Sequence, residues 1–271
     1  MRLPDFIIPG FQKSGTTALR KNLDNHPDIY MAYCEGQYCA ARPEINFFCK
    51  SKGFHEMPHE EALNWYKSKF NTDLKVCGEK SPSYSLRPEF SAKRMSQIVP
   101  NVKLIFTFRN PIDRAYSAYN HYQQCLARGE QWCKPNNQQW DPSEDFIYNL
   151  KNHQAFTKYN YASTLESYLK YFKRDKMLFV IQERLMPPCY KENVEYQNGQ
   201  TIPAGQDQYS EIFKFLGVTD LEMKNKVGHA RSKKPLSDDE RKAAFDVLQD
   251  HFDEFFKIYG SVVKEWADDL N

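Results

Sequence analysis

Phe6-Ile7-Ile8, then Gly10-Phe11-Gln12-Lys13-Ser14-Gly15-Thr16-Thr17, then Ala18-Leu19-Arg20, is the stretch that most narrows the folds open to this chain. An apolar run enters a turn bearing two glycines, and the turn opens directly into a helical pattern. Strand, loop and helix in that order form the unit from which parallel sheets are built. The loop brings its backbone N–H groups to a helix N-terminus, where those donors and the helix dipole attract an anion, typically a phosphate. Gly10 and Gly15 let the backbone approach that anion closely. Lys13 adds a positive charge at the crest, beside Ser14, and Thr16 and Thr17 add hydroxyl donors. A loop built for a triphosphate reads G-x-x-x-x-G-K-[ST], with lysine after the second glycine. Here Lys13 stands two residues before Gly15. The competing reading is a plain strand–turn–helix with a solvated lysine. It leaves the coincidence of glycines, lysine and hydroxyls unexplained.

The rest of the chain repeats the alternation. Short apolar runs at Asp5–Pro9, Lys75–Gly78, Val102–Phe108 and Met177–Gln182 read as buried strands. Helical patterns fall at Thr16–Asn25, His59–Phe70, Pro88–Ile98, Pro111–Leu126, Ser143–Asn149, Tyr161–Phe172, Tyr209–Leu216 and Asp238–Tyr259. Ser237 to Glu240 reads as a capping box, and Gly217 sits where a helix ends. The expected fold class is α/β: a single domain over residues 1–271, with a central parallel sheet flanked by helices. With 41% hydrophobic and 15% aromatic residues among 271, the chain can bury a sizeable core. Tyr33–Pro43 and Met186–Gln206 read as irregular surface loops, the kind that carries specificity.

A formal net charge of +2 argues against a dedicated nucleic-acid binder, so any basic patch is local. No apolar run approaches the ~18 residues of a membrane helix. No signal peptide and no Asn-x-Ser/Thr sequon occur, so the expected location is cytoplasmic, with a trimmed Golgi-lumenal catalytic domain as the alternative. Seven cysteines include the clusters Cys34, Cys39, Cys49 and Cys125, Cys133, without the Cys-x2-Cys spacing of a zinc site. They read as free or partly buried thiols and no metal is expected. A Cys34–Cys39 or Cys125–Cys133 disulfide stays open for an oxidising compartment.

A second anion site follows the strand Val102–Phe108, which ends in Arg109-Asn110-Pro111. Magnesium-dependent triphosphatases often end such a strand in an aspartate that helps hold the metal. Arginine at a strand's C-terminal end suits an anion instead. Asn110 can cap the next helix and Pro111 fits its first turn. Ser117 lies about two turns along, where its hydroxyl can assist Arg109, and Arg114 shares its face. Two phosphate sites without a clear metal-binding acid imply a nucleotide carrying phosphates at two positions.

These residues resemble the sulfotransferases that use 3′-phosphoadenosine 5′-phosphosulfate (PAPS) as donor. Gly10-x-x-Lys13-Ser14-Gly15-Thr16-Thr17 is similar to that family's loop for the 5′-phosphosulfate. Arg109-Asn110-Pro111 with Ser117-Ala118-Tyr119 is similar to its 3′-phosphate motif. The likeness runs over nearly the whole chain and is closest to the carbohydrate branch related to heparan sulfate sulfotransferases. That branch carries segments matched here by Pro43-Glu44-Ile45-Asn46-Phe47-Phe48, by Glu79-Lys80-Ser81-Pro82-Ser83-Tyr84, and by the late basic loop Arg231-Ser232-Lys233-Lys234. The chain departs from the pattern in four places. The segment before Glu44 is lengthened and holds Cys34 and Cys39. Asn46 stands where relatives often have histidine, and Ala230 replaces a glycine. The 186–206 loop is peculiar to this chain.

The resemblance implies a sulfotransferase version of the P-loop nucleotide-hydrolase-like fold, with PAPS as donor, PAP as product and no metal. It implies transfer to a hydroxyl of a sugar or small natural product, with Glu44 as the general base. Lys13 would stabilise the leaving phosphate oxygen and Lys80 the sulfuryl oxygens. Donor binding would fall to Lys13, Ser14, Gly15, Thr16, Thr17, Arg109 and Ser117. Arg231, with Ser232 and Lys233, would close over the 3′-phosphate end or the 5′-phosphate. His26 and His229 read as structural, and Tyr116, Tyr119 and Tyr122 as helix packing. Two alternatives stay in view: a nucleotide kinase or triphosphatase, and a catalytically silent PAP-binding module. The sequence leaves the acceptor and the oligomeric state open.

Overall fold

A computed structural model describes residues 1–34, 44–49, 54, 56–130, 140–185, 194–195, 201–202, 208–222 and 234–270, with only the backbone of 194–195 and 201–202. The elements in chain order are β1 (Phe6–Gly10), α1 (Thr16–Asp24), β2 (Ile29–Ala32), α2 (His59–Ser68), β3 (Val76–Lys80), α3 (Pro88–Ile98), β4 (Lys103–Phe108), α4 (Pro111–Ala127), α5 (Phe146–Asn152), α6 (Tyr161–Leu169), β5 (Met177–Ile181), β6 (Val194–Glu195), β7 (Thr201–Ile202), α7 (Tyr209–Leu216) and α8 (Asp238–Tyr259). The chain divides into two compact units, one of Met1–Phe108 with Thr164–His229, the other of Arg109–Ser163 with Ala230–Asn271.

The first unit holds the sheet. Its five strands lie in the order β2-β3-β1-β4-β5, and every neighbouring pair is parallel. Every residue of β1 and β3 is buried, as expected for strands covered on both faces. That is why Phe6-Ile7-Ile8 and Val76-Cys77-Gly78, the first three residues of each, read as runs without polar alternation. Phe6, Ile8, Ile105 and Val180 pack with Leu19 and Leu23 of α1 and Ile212, Phe213 and Leu216 of α7. β1 lies between β3 and β4, so the chain leaves β1 in one direction to reach β2 and crosses in the other to reach β4. Ligands of open parallel sheets bind beyond the C-terminal strand ends at such a reversal, which is where the glycine loop starts.

Three expectations need correction. Ile29–Ala32 is an edge strand paired with β3 that the sequence reading missed. A two-stranded antiparallel pairing, β6 with β7, lies inside the stretch expected to be irregular. The helix expected at Ser143–Asn149 starts at Phe146, because Asp145 is the cap that accepts from the Tyr148 N–H. Ser143 bonds Asp141 instead. The caps at Asn110, Ser237 with Glu240, and Gly217 form as expected.

The second unit is helical. Tyr161 packs edge-on against Phe255, and Trp266 packs on Phe252 and Phe255. Tyr119 and Tyr122 pack against Trp140 and Phe156; Tyr122 is a core residue of this unit and Tyr119 is half-buried at its margin.

Candidate active site

The loop after β1 bends at two left-handed residues, Lys13 with φ 72° and Gly15 with φ 80°. Gly15 occupies the cap position of α1, and no side chain caps that helix. The first N–H groups of α1 therefore have no capping side chain, and there is no acid in its first turn. A helix start without a capping side chain or a first-turn acid fits an anion. Gly15 is required twice over, since a Cβ there would meet Gln182 Cγ at 2.8 Å. Gly10 has a different reason from the one expected. A Cβ on it would lie 2.0 Å from Ser85 Oγ, so it admits a neighbouring side chain. That hydroxyl donates to the Pro9 carbonyl at 2.8 Å. Ser14 and Thr16 are buried, while Thr17 is exposed.

β3 ends beside this loop and presents Lys80. Its Nζ donates to Glu44 Oε1 at 2.7 Å and lies 3.5 Å from Thr17 Oγ1. The Lys80 side chain is 3% exposed and that of Glu44 13%. The structure thus brings together Glu44, Lys80 and Thr17, three expected residues drawn from three separate segments. Lys80 is no surface lysine, and Glu44 is no surface acid.

The residue before Lys80 is a group to which the sequence alone gave no role. Glu79 is fully buried. Its Oε1 accepts from the Tyr66 and Tyr84 hydroxyls at 2.7 and 2.8 Å, and its Oε2 accepts from Ser81 Oγ at 2.7 Å. Burial pushes its carboxyl up to about 7, against the three hydroxyl donors that favour the charged form. The same burial, with the Glu79 charge close by, pushes both tyrosine hydroxyls well up. The alternating residues of Glu79-Lys80-Ser81 carried a signal, since only the middle side chain of such a triplet shares a face with the cleft.

Arg109 opens the second unit. The Tyr161 hydroxyl donates to the Arg109 carbonyl at 2.8 Å. Asn110 Oδ1 accepts from the N–H groups of Ile112 and Asp113, and its Nδ2 donates to Asp269 at 2.6 Å. Arg241 grips the same Asp269 through Nε and Nη2, both at 2.6 Å, and reaches Asp113 at 3.1 Å. These partners raise the Arg241 guanidinium further above its usual range, the Asp269 hydrogen bond most of all. The chain's last turn thereby braces the Arg109-Asn110-Pro111 corner, a link that sequence separation hid.

Ser117 is buried on α4. Arg114 on the same helix is buried too, but donates to the Phe156 carbonyl and lies 5.2 Å from the Tyr159 ring centre, so it supports this unit's packing. Tyr116 is not simple packing: its hydroxyl donates to the Lys234 carbonyl at 2.8 Å, tying the end of the late basic loop to α4 one residue before Ser117. Arg231, Ser232, Lys233, His229 and Ala230 lie outside the described residues. His26 serves packing, with its ring 4.6 Å from Phe213 and Nε2 2.8 Å from the Thr219 carbonyl.

Among the described residues no group of three or more His, Cys, Asp or Glu is placed to hold a metal ion. His55 and His59 have a His-x3-His spacing that the sequence reading passed over, and His55 lies outside the described residues. Cys34 is disulfide-bonded, while the thiols of Cys49, Cys77 and Cys125 form no disulfide, so Cys125 does not pair with Cys133. Among the described residues no helix is long and apolar enough to cross a membrane.

Comparison with known proteins bears on this geometry. The bifunctional heparan sulfate N-deacetylase/N-sulfotransferase 2 of Bos taurus is 28% identical over 231 residues, 80% of this chain and 22% of the relative. The heparan sulfate glucosamine 3-O-sulfotransferase 5 of Mus musculus is 27% identical over 220 residues, 78% of this chain and 57% of the relative. The chain thus spans well under two thirds of the length of these relatives. The crystal structure of a sulfotransferase from Alicyclobacillus acidocaldarius superposes with a TM-score of 0.66 at 19% identity, covering 98% of this chain and 100% of that one. That likeness shows the fold. The sulfotransferase domain family matches residues 3–188, more than half of the sequence, and the chain belongs to that family.

Proposed function

We propose that this domain transfers a sulfuryl group from PAPS to a hydroxyl of a carbohydrate acceptor, releasing PAP. The observation that carries the reading is the 2.7 Å pair of Glu44 and Lys80 at the N-terminal end of α1. A base and a cation sit together where a loop offers uncapped N–H groups to an anion. Lys13, Ser14, Gly15, Thr16 and Thr17 hold the 5′-phosphosulfate. Arg109 and Ser117 hold the 3′-phosphate, joined by Arg231, Ser232 and Lys233 of the late loop.

The acceptor oxygen attacks sulfur while its proton passes to the Glu44 carboxylate. The new O–S bond forms as the bond from sulfur to the 5′-phosphate oxygen breaks, and that oxygen keeps the electron pair. Lys13 meets the charge gathering there. Lys80 turns to the sulfuryl oxygens, which releases Glu44 from its ion pair when the base is needed. Charge stabilisation of this kind is worth several kcal/mol in a dry site. The names of both relatives include heparan sulfate, which supports a carbohydrate acceptor over a small natural product.

The disulfide at Cys34 bears on location, because such bonds persist in oxidising compartments. It favours the lumenal alternative over the cytoplasmic one.

The test is thermal shift with PAP, ATP–Mg and ADP, followed by sulfate transfer from PAPS to a panel of hydroxyl and amino sugars. Stabilisation by PAP with turnover on a sugar hydroxyl is expected. Stabilisation by ATP–Mg and not PAP would favour a nucleotide kinase or triphosphatase. PAP binding without any transfer would favour a silent module.

A further inference from the structure

The reaction outlined above gives Glu79 nothing to do. Yet this carboxyl is fully buried and its three hydrogen bonds all lead towards the segment that carries Glu44. We propose that Glu79 and Ser81 are positioning residues for the general base, setting through the Asn46 backbone the direction in which Glu44 faces Lys80. The inference rests on the reading of Glu44 as base.

Asn46 lies two residues after Glu44 and has φ 54°, in the left-handed region. Few non-glycine residues hold that conformation without support. Its N–H donates to Ser81 Oγ at 3.0 Å. The Ser81 hydroxyl in turn donates a hydrogen bond to Glu79 Oε2, and the Ser81 N–H donates to the Ile8 carbonyl of β1 at 3.1 Å. The two residues after Asn46 are held by the same group of partners. Phe47 stacks on Tyr66 with ring centres 4.2 Å apart, and Phe48 meets Tyr84 edge-on at 5.5 Å. Both tyrosines are anchored by Glu79. Three consecutive residues therefore divide one task. Glu79 and Ser81 hold the backbone of the base segment, and Lys80 between them holds its side chain.

The chemistry of the donors makes the arrangement directional. An ionised carboxylate only accepts, and it can accept hydrogen bonds from all three hydroxyls at once. A glutamine at the same place must also donate through its amide, so at least one of the three hydroxyls has to turn away. Ser81 is the critical member, because it accepts from Asn46 while it donates to Glu79.

The experiment is steady-state sulfate transfer by S81A, S81T, E79Q, N46G and E44Q, with active enzyme counted by PAP binding stoichiometry. S81A and E79Q are expected to lose about 10- to 100-fold in kcat, the scale of a misplacement near 1 Å, with an unchanged KM for PAPS. S81T keeps the hydroxyl and is expected to recover most of the S81A loss. N46G keeps the N–H and takes a positive φ freely but drops the Asn46 Nδ2 bond to the Glu44 carbonyl, so it is expected to lose less kcat than S81A. Wild-type kcat in S81A overturns the inference, and so does an S81T as impaired as S81A. The E44Q arm separates the two readings. Lost turnover in E44Q with normal S81A sinks only the positioning role. Retained turnover in E44Q sinks the base assignment itself.

Discussion

Replacing Glu79 by glutamine should change how stability depends on pH, by an amount the site itself sets. In the unfolded chain the carboxyl titrates near 4.5, and in the fold near 7. Burial favours the neutral form and outweighs the three hydroxyl bonds that favour the anion. Below pH 4.5 both states hold the proton and the group costs nothing. Between 4.5 and 7 the folded state keeps a proton that the unfolded state has lost, so stability falls as pH rises. Above 7 the cost is complete. At ~1.4 kcal/mol per pKa unit, it comes to about 3 kcal/mol. Glu79→Gln removes the titration. Urea unfolding of wild type and variant at pH 5 and pH 8 measures it. Because roughly a quarter of the cost is already present at pH 5, the difference between them should move by about 2.5 kcal/mol in the variant's favour at the higher pH. Parallel pH dependences would show that Glu79 does not titrate in this range and would refute the reasoning.

Other perturbations test other parts of the site. Lys13→Ala and Arg109→Ala should each weaken PAP binding in calorimetric titration, and unchanged affinity would remove that residue from the donor site. Gly15→Ala should cost roughly 1–2 kcal/mol from its left-handed backbone alone, and more from the clash with Gln182. Scanning calorimetry reads the loss, with weakened PAP affinity beside it. Arg241→Ala strips a nearly buried Asp269 of its two-point partner and should lower stability by about 1–3 kcal/mol. Arg241→Lys should not restore it, because an ammonium cannot match the carboxylate fork.

What the sequence made legible was local or periodic. The loop of Lys13 and Gly15 lies within eight residues, and Asn110 caps its own helix, so both could be read from spacing. Strands β1, β3, β4 and β5 stood out because burial on both faces gives each an unbroken apolar run, although Glu79 and Lys80 end β3 and Lys103 opens β4. β2 did not, being four residues at an edge behind the His26-Pro27 turn. Long-range links were invisible for a different reason. Glu79 meets Tyr66 across 13 positions and Asn46 meets Ser81 across 35, and neither pairing leaves a periodic trace. The same holds for Asn110 and Asp269, 159 positions apart. Resemblance to a family located Glu44 and Lys80, but their 2.7 Å pairing came from the fold.

On the proposed reading, Glu44 takes the acceptor proton during transfer from PAPS. Glu44→Gln keeps the side chain's size and removes its basicity. The most direct measurement is single-turnover sulfate transfer by this variant, with PAP affinity determined on the same preparation. PAP affinity is expected to stay at the wild-type value while the transfer rate falls about 10²- to 10⁴-fold, the usual contribution of a general base. A transfer rate equal to wild type, with PAP bound equally well, would contradict it.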